Sequence, residues 1–291
     1  MIDITRTRPI FPLYILAFIF LLISQSLFSQ SKIKGNKEVI TEQTNVEAFH
    51  SLSIGNDLEV ELIKSMIPSV TIKADENLHP VIKYQVIDSV LSFQVTKIVK
   101  GAKEFKAVIR YTEPLRTIIL NGNVDVEAEK NIALKKLDLI MHDNARIKAN
   151  ITADRFRLEN NNESSFNLTT NCILSVESET ADLELKNNSN NILDINTEEL
   201  NIKTVDKSEL TIEGFTYKLN VESSNSSEIK GDKLLTNITK LKLSDKADAS
   251  VQVSDTISIN ASGSSKVLLY GEPKILVKNL SETASIIKKE L

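Results

Sequence analysis

The residues best equipped for acid–base or metal chemistry are three histidines, His50, His79 and His142, and a few closely spaced carboxylates. The histidines stand far apart, with no His-x-His or His-Glu-x-x-His spacing, so local sequence assembles no zinc ligand set. His142-Asp143, beside Asn144, reads as a polar, solvated turn. Asp125 with Glu127 and Asp182 with Glu184 are carboxylates two residues apart, a spacing that puts both on one outward face of a strand. A polysaccharide lyase or hydrolase built on stacked strands would use such pairs along a groove. Carbohydrate-active grooves also favour aromatic platforms, and this chain has no Trp and only five Tyr. Asn56-Asp57 and Asp245-Lys246-Ala247-Asp248 lack the glycine-rich repeat of calcium-binding β-rolls. Neither a Gly-x-Ser-x-Gly elbow nor a phosphate loop occurs. Ser262-Gly263-Ser264-Ser265 has small residues that expose backbone amides to an anion, but its place between two apolar strands reads first as a corner. The residues therefore designate no catalytic, cofactor-binding or metal-ligating position, imply no cofactor, and favour a protein that is not an enzyme.

The elements that would position any site are strands. Hydrophobic residues make up 41% and charged residues 25% of 291 positions, ordinary globular material. β-Branched residues alternating with Asn and Ser favour strands and turns over helices. From Thr41 to Thr112 the alternating stretches are longish, as in Leu58 to Ile63, Val81 to Val86 and Val90 to Val95. Pro68, Asp88-Ser89 and Lys100-Gly101 punctuate them, the pattern of strands joined by turns and hairpins. Glu113-Pro114 marks a boundary.

Beyond Pro114 the pattern repeats. An apolar-x-apolar pair is followed about ten residues later by a second: Leu137/Leu139 by Ile147/Ala149, Phe156/Leu158 by Phe166/Leu168, and Leu174/Val176 by Leu183/Leu185. The series continues with Leu200/Ile202 and Leu210/Ile212, Leu219/Val221 and Ile229/Gly231, Leu241/Leu243 and Val251/Val253, and Ile257/Ile259 and Val267/Leu269. An extra short strand fits Ile192 to Ile195. A period near twenty residues suits the coil of a parallel β-helix, in which each rung buries its inward face only by stacking on neighbours. Roughly eight rungs at about 4.8 Å would span on the order of 40 Å.

Asp143-Asn144, Asn160 to Asn162, Asn187 to Asn191, Ser223 to Ser227 and Ser262 to Ser265 fall between the paired strands. Asn, Gly and Ser tolerate left-handed backbone angles or satisfy local backbone groups, which suits tight bends. Stacked bends also let side-chain amides bond from rung to rung, and a polar binding ridge along that edge is the competing reading.

Arg6 and Arg8 precede an apolar run from Ile10 to Ile23 that ends in the small, polar stretch Ser24 to Gln30. This is the plan of a signal peptide over residues 1–30, cleaved near Ser29 or Gln30; an uncleaved N-terminal anchor is the alternative. No Cys lies there to be lipid-modified. Removing residues 1–29 takes away Arg6, Arg8 and Asp3, so the formal charge moves from −4 to −5. A mildly acidic, mixed-sign chain does not suggest nucleic acid as a partner. Cys172 is the one cysteine, so no intramolecular disulfide forms, and it reads as a small buried hydrophobe.

The repeated small-centred corner, the closing SGSSKVLLYGEPKI from Ser262 and the lead-in FKAVIRYTEPLRTIILNGNVDVE from Phe105 resemble the putative auto-transporter adhesin, head GIN domain family. The resemblance covers Phe49 to Lys274. It departs from the family pattern by keeping one clear Ser-Gly corner, Ser262-Gly263, with Asn- and Ser-rich bends elsewhere. The resemblance implies an exported protein of the cell envelope, from a group common in Bacteroidetes, with a right-handed parallel β-helix-like fold; it carries over no binding residues. The expected architecture is all-β, a right-handed parallel β-helix-like solenoid with an N-terminal strand-rich portion. Residues 41–113 would form the N-terminal strands, 114–274 the repeated rungs of the 41–274 domain, and 275–291 a last rung or cap, whose Lys288-Lys289-Glu290 end would shield an exposed strand edge. The expected function is a non-catalytic binding module for an extracellular or envelope protein or glycan, in the periplasm, at the cell surface or secreted, with no membrane span after cleavage. The alternatives are a structural or sensory periplasmic module and, behind it, a polysaccharide-active enzyme.

Overall fold

A computed structural model describes residues 31–55, 57–128, 130–162 and 171–290. Residues 1–30, expected to form a signal peptide, Asn56, and the pair Phe166/Leu168 lie outside the described residues, as does the side chain of Cys172. The first strands are β1 (Lys32–Lys34), β2 (Val39–Asn45), β3 (Ser51–Gly55), β4 (Glu59–Lys64), β5 (Ser69–Asp75), β6 (Ile82–Ile87), β7 (Val90–Val95), β8 (Ile98–Lys100), β9 (Phe105–Tyr111), β10 (Thr117–Asn121) and β11 (Asp125–Glu127). The longer ones follow as β12 (Ile132–His142), β13 (Arg146–Asn162), β14 (Asn171–Asn187), β15 (Asn190–Thr204), β16 (Glu209–Ser223), β17 (Glu228–Leu243) and β18 (Asp248–Ala261). The chain closes with β19 (Lys266–Tyr270), β20 (Lys274–Leu280) and β21 (Ser285–Lys289). They wind into a β-solenoid of about 8 turns.

From β12 onward every pairing is parallel, and successive strands stack in order. The register is that of an aliphatic ladder: Leu139, Leu158, Leu183, Ile202, Val221, Leu241 and Ile259 are direct partners in sequence. All seven are buried. Each such aliphatic side chain contributes about 1.5–3 kcal/mol by leaving water, but only because the rungs above and below cover it.

One unit of the repeat is out of phase with the expected alignment. Leu174 pairs with Ala149 and Leu193, whereas Leu183 pairs with Leu158 and Ile202. Leu174/Val176 is therefore the second pair of the rung begun by Phe156/Leu158, and Leu183/Leu185 begins a new rung completed by Leu193/Ile195. The apolar pairs are chemically alike, so spacing across the long segment between Asn162 and Asn171 misassigned them. Ile192 to Ile195 is accordingly the middle of β15 rather than an added strand.

Within a rung the inward and outward faces alternate with period two, except at one bend where two consecutive residues point outward. In β15 the inward residues are Asn191, Leu193, Ile195 and Thr197, then Leu200, Ile202 and Thr204, with Glu198 and Glu199 between them at the surface side. Buried threonines satisfy backbone carbonyls here: Thr197 Oγ1 donates to Glu179 O at 3.0 Å, and Thr216 Oγ1 to Lys218 O at 3.2 Å. At the opposite end of the rungs, among the described residues, the chain turns tightly through one left-handed residue at Gly122, Asp143, Asn187, Asp206, Asn225, Asp245, Gly263 and Glu282. Two positions later comes a small buried residue, Ala145, Ser189, Ser208, Ser227, Ala247 or Ser265. The Asn- and Ser-rich bends are thus one corner motif of a left-handed polar residue, an exposed residue, and a small one that fits inside.

The N-terminal strands are partly hairpins and partly rungs. β6 and β7 form an antiparallel hairpin through Asp88 and Ser89, both left-handed, the geometry of a type I′ turn. In contrast, β3 and β4 pair in parallel with β10 and β11 on one side and with β7 and β9 on the other. The chain therefore lays down the rung of β3 and β4, leaves through β5 and β6, returns beneath it as β7 and β9, and crosses over to β10. β5 caps β9 in antiparallel fashion, and β2 caps β5. At the other end β20 and β21 stack on β18 and β19.

Candidate functional site

Outward residues of the arm that follows the bend form two columns across β13 to β18. The first runs Arg157, Asp182, Asn201, Asn220, Lys240, Ser258; the second runs Glu159, Glu184, Lys203, Glu222, Lys242, Asn260. Between them lies an open trough of about 530 Å³ whose base is the strand backbone at Leu183, Ile202, Val221 and Leu241, the side chains of which are buried in the core. The spacing is that of stacked strands, so a side chain of one column recurs about every 4.8 Å along the solenoid.

The trough is held by cross-rung contacts. Asn201 Nδ2 donates to Asp182 Oδ1 and Asn220 Nδ2 to Asn201 Oδ1, both at 2.8 Å. Glu184 sits among Lys186 at 2.9 Å, Lys203 at 3.5 Å and Arg157 at 3.6 Å. The hydrogen bond from Lys186 holds the Glu184 carboxyl below the usual range; partial burial opposes it, and Lys203 adds to the lowering. Glu199, on the bend beside the trough, is lowered in the same sense by Lys218 at 2.8 Å. Farther along, Lys242 meets Glu222 at 3.3 Å. The trough offers amides, ammonium groups and ionised carboxylates in a periodic row, a surface for binding polar groups.

Residues 48–173 and 169–273 match the family model described as putative auto-transporter adhesin, head GIN domain. The chain belongs to this family. Solved structures share the fold. A putative adhesin from Parabacteroides merdae ATCC 43184 is 16% identical, with a TM-score of 0.64 covering 89% of this chain and 99% of that one. A putative adhesin from Parabacteroides distasonis ATCC 8503 is also 16% identical, with a TM-score of 0.62 over 90% of this chain and 100% of its own. A third, described as a putative lipid binding protein from Parabacteroides distasonis ATCC 8503, is 15% identical, with a TM-score of 0.65 over 89% and 100%. A search of curated protein sequences found no match.

The residues singled out by chemistry are scattered over the head GIN solenoid. His50 Nδ1 lies 2.8 Å from Ser51 Oγ, while His79 meets Glu42 at 3.2 Å. His142 stands on the corner arm of β12, opposite Asn161. Among the described residues no group of three or more His, Cys, Asp or Glu is placed to hold a metal ion. Asp125 pairs with Arg146 at 3.2 Å and Glu127 with Lys148 at 4.0 Å, along the exposed face of β11 and β13. Asp182 and Glu184 alone among the candidate pairs enter a concavity, and both are engaged there. Asp245 and Asp248 flank a corner, where Asn225 N donates to Asp245 Oδ2 at 3.3 Å. Gly263 is part of the corner stack, and a Cβ there would come within 2.5 Å of Asp245 O, so the rung below fills the would-be cradle.

The corners also carry the amide ladders. Asn225 Nδ2 donates to Asp206 Oδ1 at 2.8 Å, Asn187 Nδ2 to Asn161 Oδ1 at 2.6 Å, and Asn144 Nδ2 to Asn123 Oδ1 at 2.8 Å. Sequence reasoning did not single out Asn201, Asn220, Lys240 or Lys242. The signal for them was their place one residue on from the apolar repeat, which becomes informative only when the rungs are in register. Among the described residues no helix is long and apolar enough to cross a membrane.

Proposed function

We propose that this protein is an exported, non-catalytic binding module of the cell envelope that holds an extended, acid-bearing glycan along its trough. The observation that carries this reading is the row of Arg157, Lys203, Lys240 and Lys242 with Asn201 and Asn220, presented by successive rungs along an open trough. Ammonium and guanidinium groups suit carboxylated sugars, and the amides suit hydroxyls. Membership of a family described by its adhesin character supports an extracellular partner. Export rests on the charged, apolar and small-residue plan of residues 1–30, ahead of a solenoid domain over 41–274 and a closing segment over 275–291.

The state of the carboxylates favours binding over cleavage. A general acid for glycoside hydrolysis needs a raised carboxyl, close to working pH, and Glu184 is displaced in the opposite direction by Lys186. Calorimetric titration of the mature chain with uronic-acid-containing and neutral oligosaccharides tests the reading. The acidic oligosaccharide is expected to bind, and the Lys240→Glu/Lys242→Glu variant to lose that binding. No heat with either class, or the release of new reducing ends or unsaturated products, would overturn it. Cell fractionation with surface protease shaving tests export, and a cytoplasmic pool alone would contradict it.

A further inference from the structure

The trough lies on one arm of the rung; a second concavity of about 720 Å³ lies across the bend on the other arm. Two exposed aromatic side chains form one end of it. Phe215 is 38% and Tyr217 54% exposed, and Leu235, the direct strand partner of Phe215, is 43% exposed. These large apolar groups sit side by side on the outer surface of two consecutive strands, where the other outward residues are polar. Their neighbours in the concavity are Asp154, Glu177, Glu179 and Glu198.

The charges of the two concavities differ in kind. In the trough every carboxylate of the lining has an ammonium, guanidinium or amide partner. In the cleft no cationic side chain contributes to the lining, and none of the four carboxylates makes an ion pair among the described residues. The strand register makes this costly. Ser178 pairs with Thr197 and Thr180 with Glu199, so the bend residues between them, Glu179 and Glu198, stack directly; Asp154 stacks on Glu179 in the same way. Three like charges thus follow one another at about 4.8 Å, and like charges on adjacent strands repel. The column continues into Tyr217 on the next rung.

We propose that this cleft docks an extended, lysine- or arginine-bearing segment of a partner protein, its basic side chains among Asp154, Glu179 and Glu198 and its apolar stems on Phe215, Tyr217 and Leu235. Charge complementarity selects the occupant: the cleft supplies uncompensated negative charge, and the aromatic faces attract the same cations. Same-side residues of an extended chain recur about every 7 Å, against about 4.8 Å between the carboxylates, and the flexible stems of Lys and Arg take up that difference. The long side chains of Lys and Arg lay their methylene stems on apolar surface while the charged heads stay among acids. The proposal does not depend on the glycan trough, which is lined by the other arm.

Fluorescence anisotropy of the mature chain tests it, using a labelled peptide of alternating lysine and serine, its glutamate counterpart, and an oligomer of glucosamine as a competing cation. Saturable binding of the lysine peptide alone is expected. The isosteric E179Q/E198Q variant and the F215A/Y217A variant should each weaken it about tenfold or more, while Lys240→Glu/Lys242→Glu in the trough leaves it within about twofold. Affinity unchanged in both cleft variants would overturn the proposal. So would binding of the glucosamine oligomer with the lysine peptide inert, or loss of peptide binding only in the trough variant. Circular dichroism of each variant distinguishes lost docking from lost folding, and the tyrosine-retaining F215A single variant should fall between wild type and the double variant.

Discussion

Asp75 Oδ2 accepts the backbone amide of Lys37 at 2.8 Å, across 38 residues of chain. The same buried carboxylate takes the amides of Lys103 at 3.0 Å and Glu104 at 3.2 Å through Oδ1. It therefore ties the lead-in segment and the approach to β9 onto the end of β5. Gly35 packs so closely here that an added Cβ would fall 2.1 Å from Asp75 Oδ2.

The Asp75 knot sets a pH dependence. Burial pushes the carboxyl up, but the amides of Lys37, Glu104 and Lys103, with the Lys37 charge, outweigh it and hold it below its ordinary value. A carboxyl lowered in the folded state contributes stability above its unfolded value and loses it as pH falls through the folded one. Thermal melts should show wild type losing this contribution on acidification. Asp75→Asn should be less stable near neutral pH, lack that acid limb, and be cut sooner by protease in residues 31–38. Superimposable pH profiles would contradict this.

Asn160 Nδ2 donates to Asn191 Oδ1 at 2.7 Å inside the solenoid. Their counterparts on the next rungs are Leu185 and Leu210. Asn191→Leu alone strands the Asn160 amide and is expected to cost about 1–3 kcal/mol. Adding Asn160→Leu should recover most of it, because both partners are then apolar. Chemical denaturation of the two singles and the double measures the coupling.

The buried corner serines offer an internal comparison. Among the described residues the hydroxyls of Ser189, Ser208 and Ser265 have no hydrogen-bond partner, while Ala145 and Ala247 fill the same site in other rungs. Ser208→Ala should be neutral or stabilise by up to about 1 kcal/mol. Ser208→Leu should overfill the corner and cost about 1–3 kcal/mol. Denaturation midpoints at constant m-value decide between these outcomes.

Two backbone sites should respond in opposite senses. Gly214 has φ +109°, and a Cβ there would lie 2.1 Å from Ile195 O, so Gly214→Ala is expected to cost about 1–3 kcal/mol. Glu282 occupies the left-handed place of the corner at φ 61°, without the short side chain that eases it elsewhere. Glu282→Gly should stabilise by about 1 kcal/mol. Differential scanning calorimetry of both variants gives the signs directly.

The trough was half legible. Asp182 and Glu184 stood out as a carboxylate pair, but their cross-rung partners Asn201 and Lys203, and Asn220 and Lys240 farther along the trough, are separated from them by a rung or more. Nothing local marks a lysine in one coil as the neighbour of a glutamate in another. The acid–aromatic cleft was less legible still. Phe215 and Tyr217 read as few aromatics in a long repeat, and their place beside Glu179 and Glu198 depends on the bend, where alternation slips by one residue.

The amino-acid sequence by itself determined the class of structure. Alternation with period two dictates strands, the recurrence of apolar pairs near every twenty residues dictates stacked rungs, and Asn, Ser and Gly mark corners because they accept left-handed angles or small enclosed spaces. These are local properties, set within a few residues of each position. Only the tertiary structure decided which rung lies on which. It moved Leu174/Val176 into the second half of its rung and placed β7 and β9 beneath β3 and β4, out of chain order. The reason is physical: one Leu–Leu ladder is worth as much as another, so pairing over long sequence distances is chosen by the combined register of all the rungs. The surface columns that form both concavities inherit their neighbours from that choice.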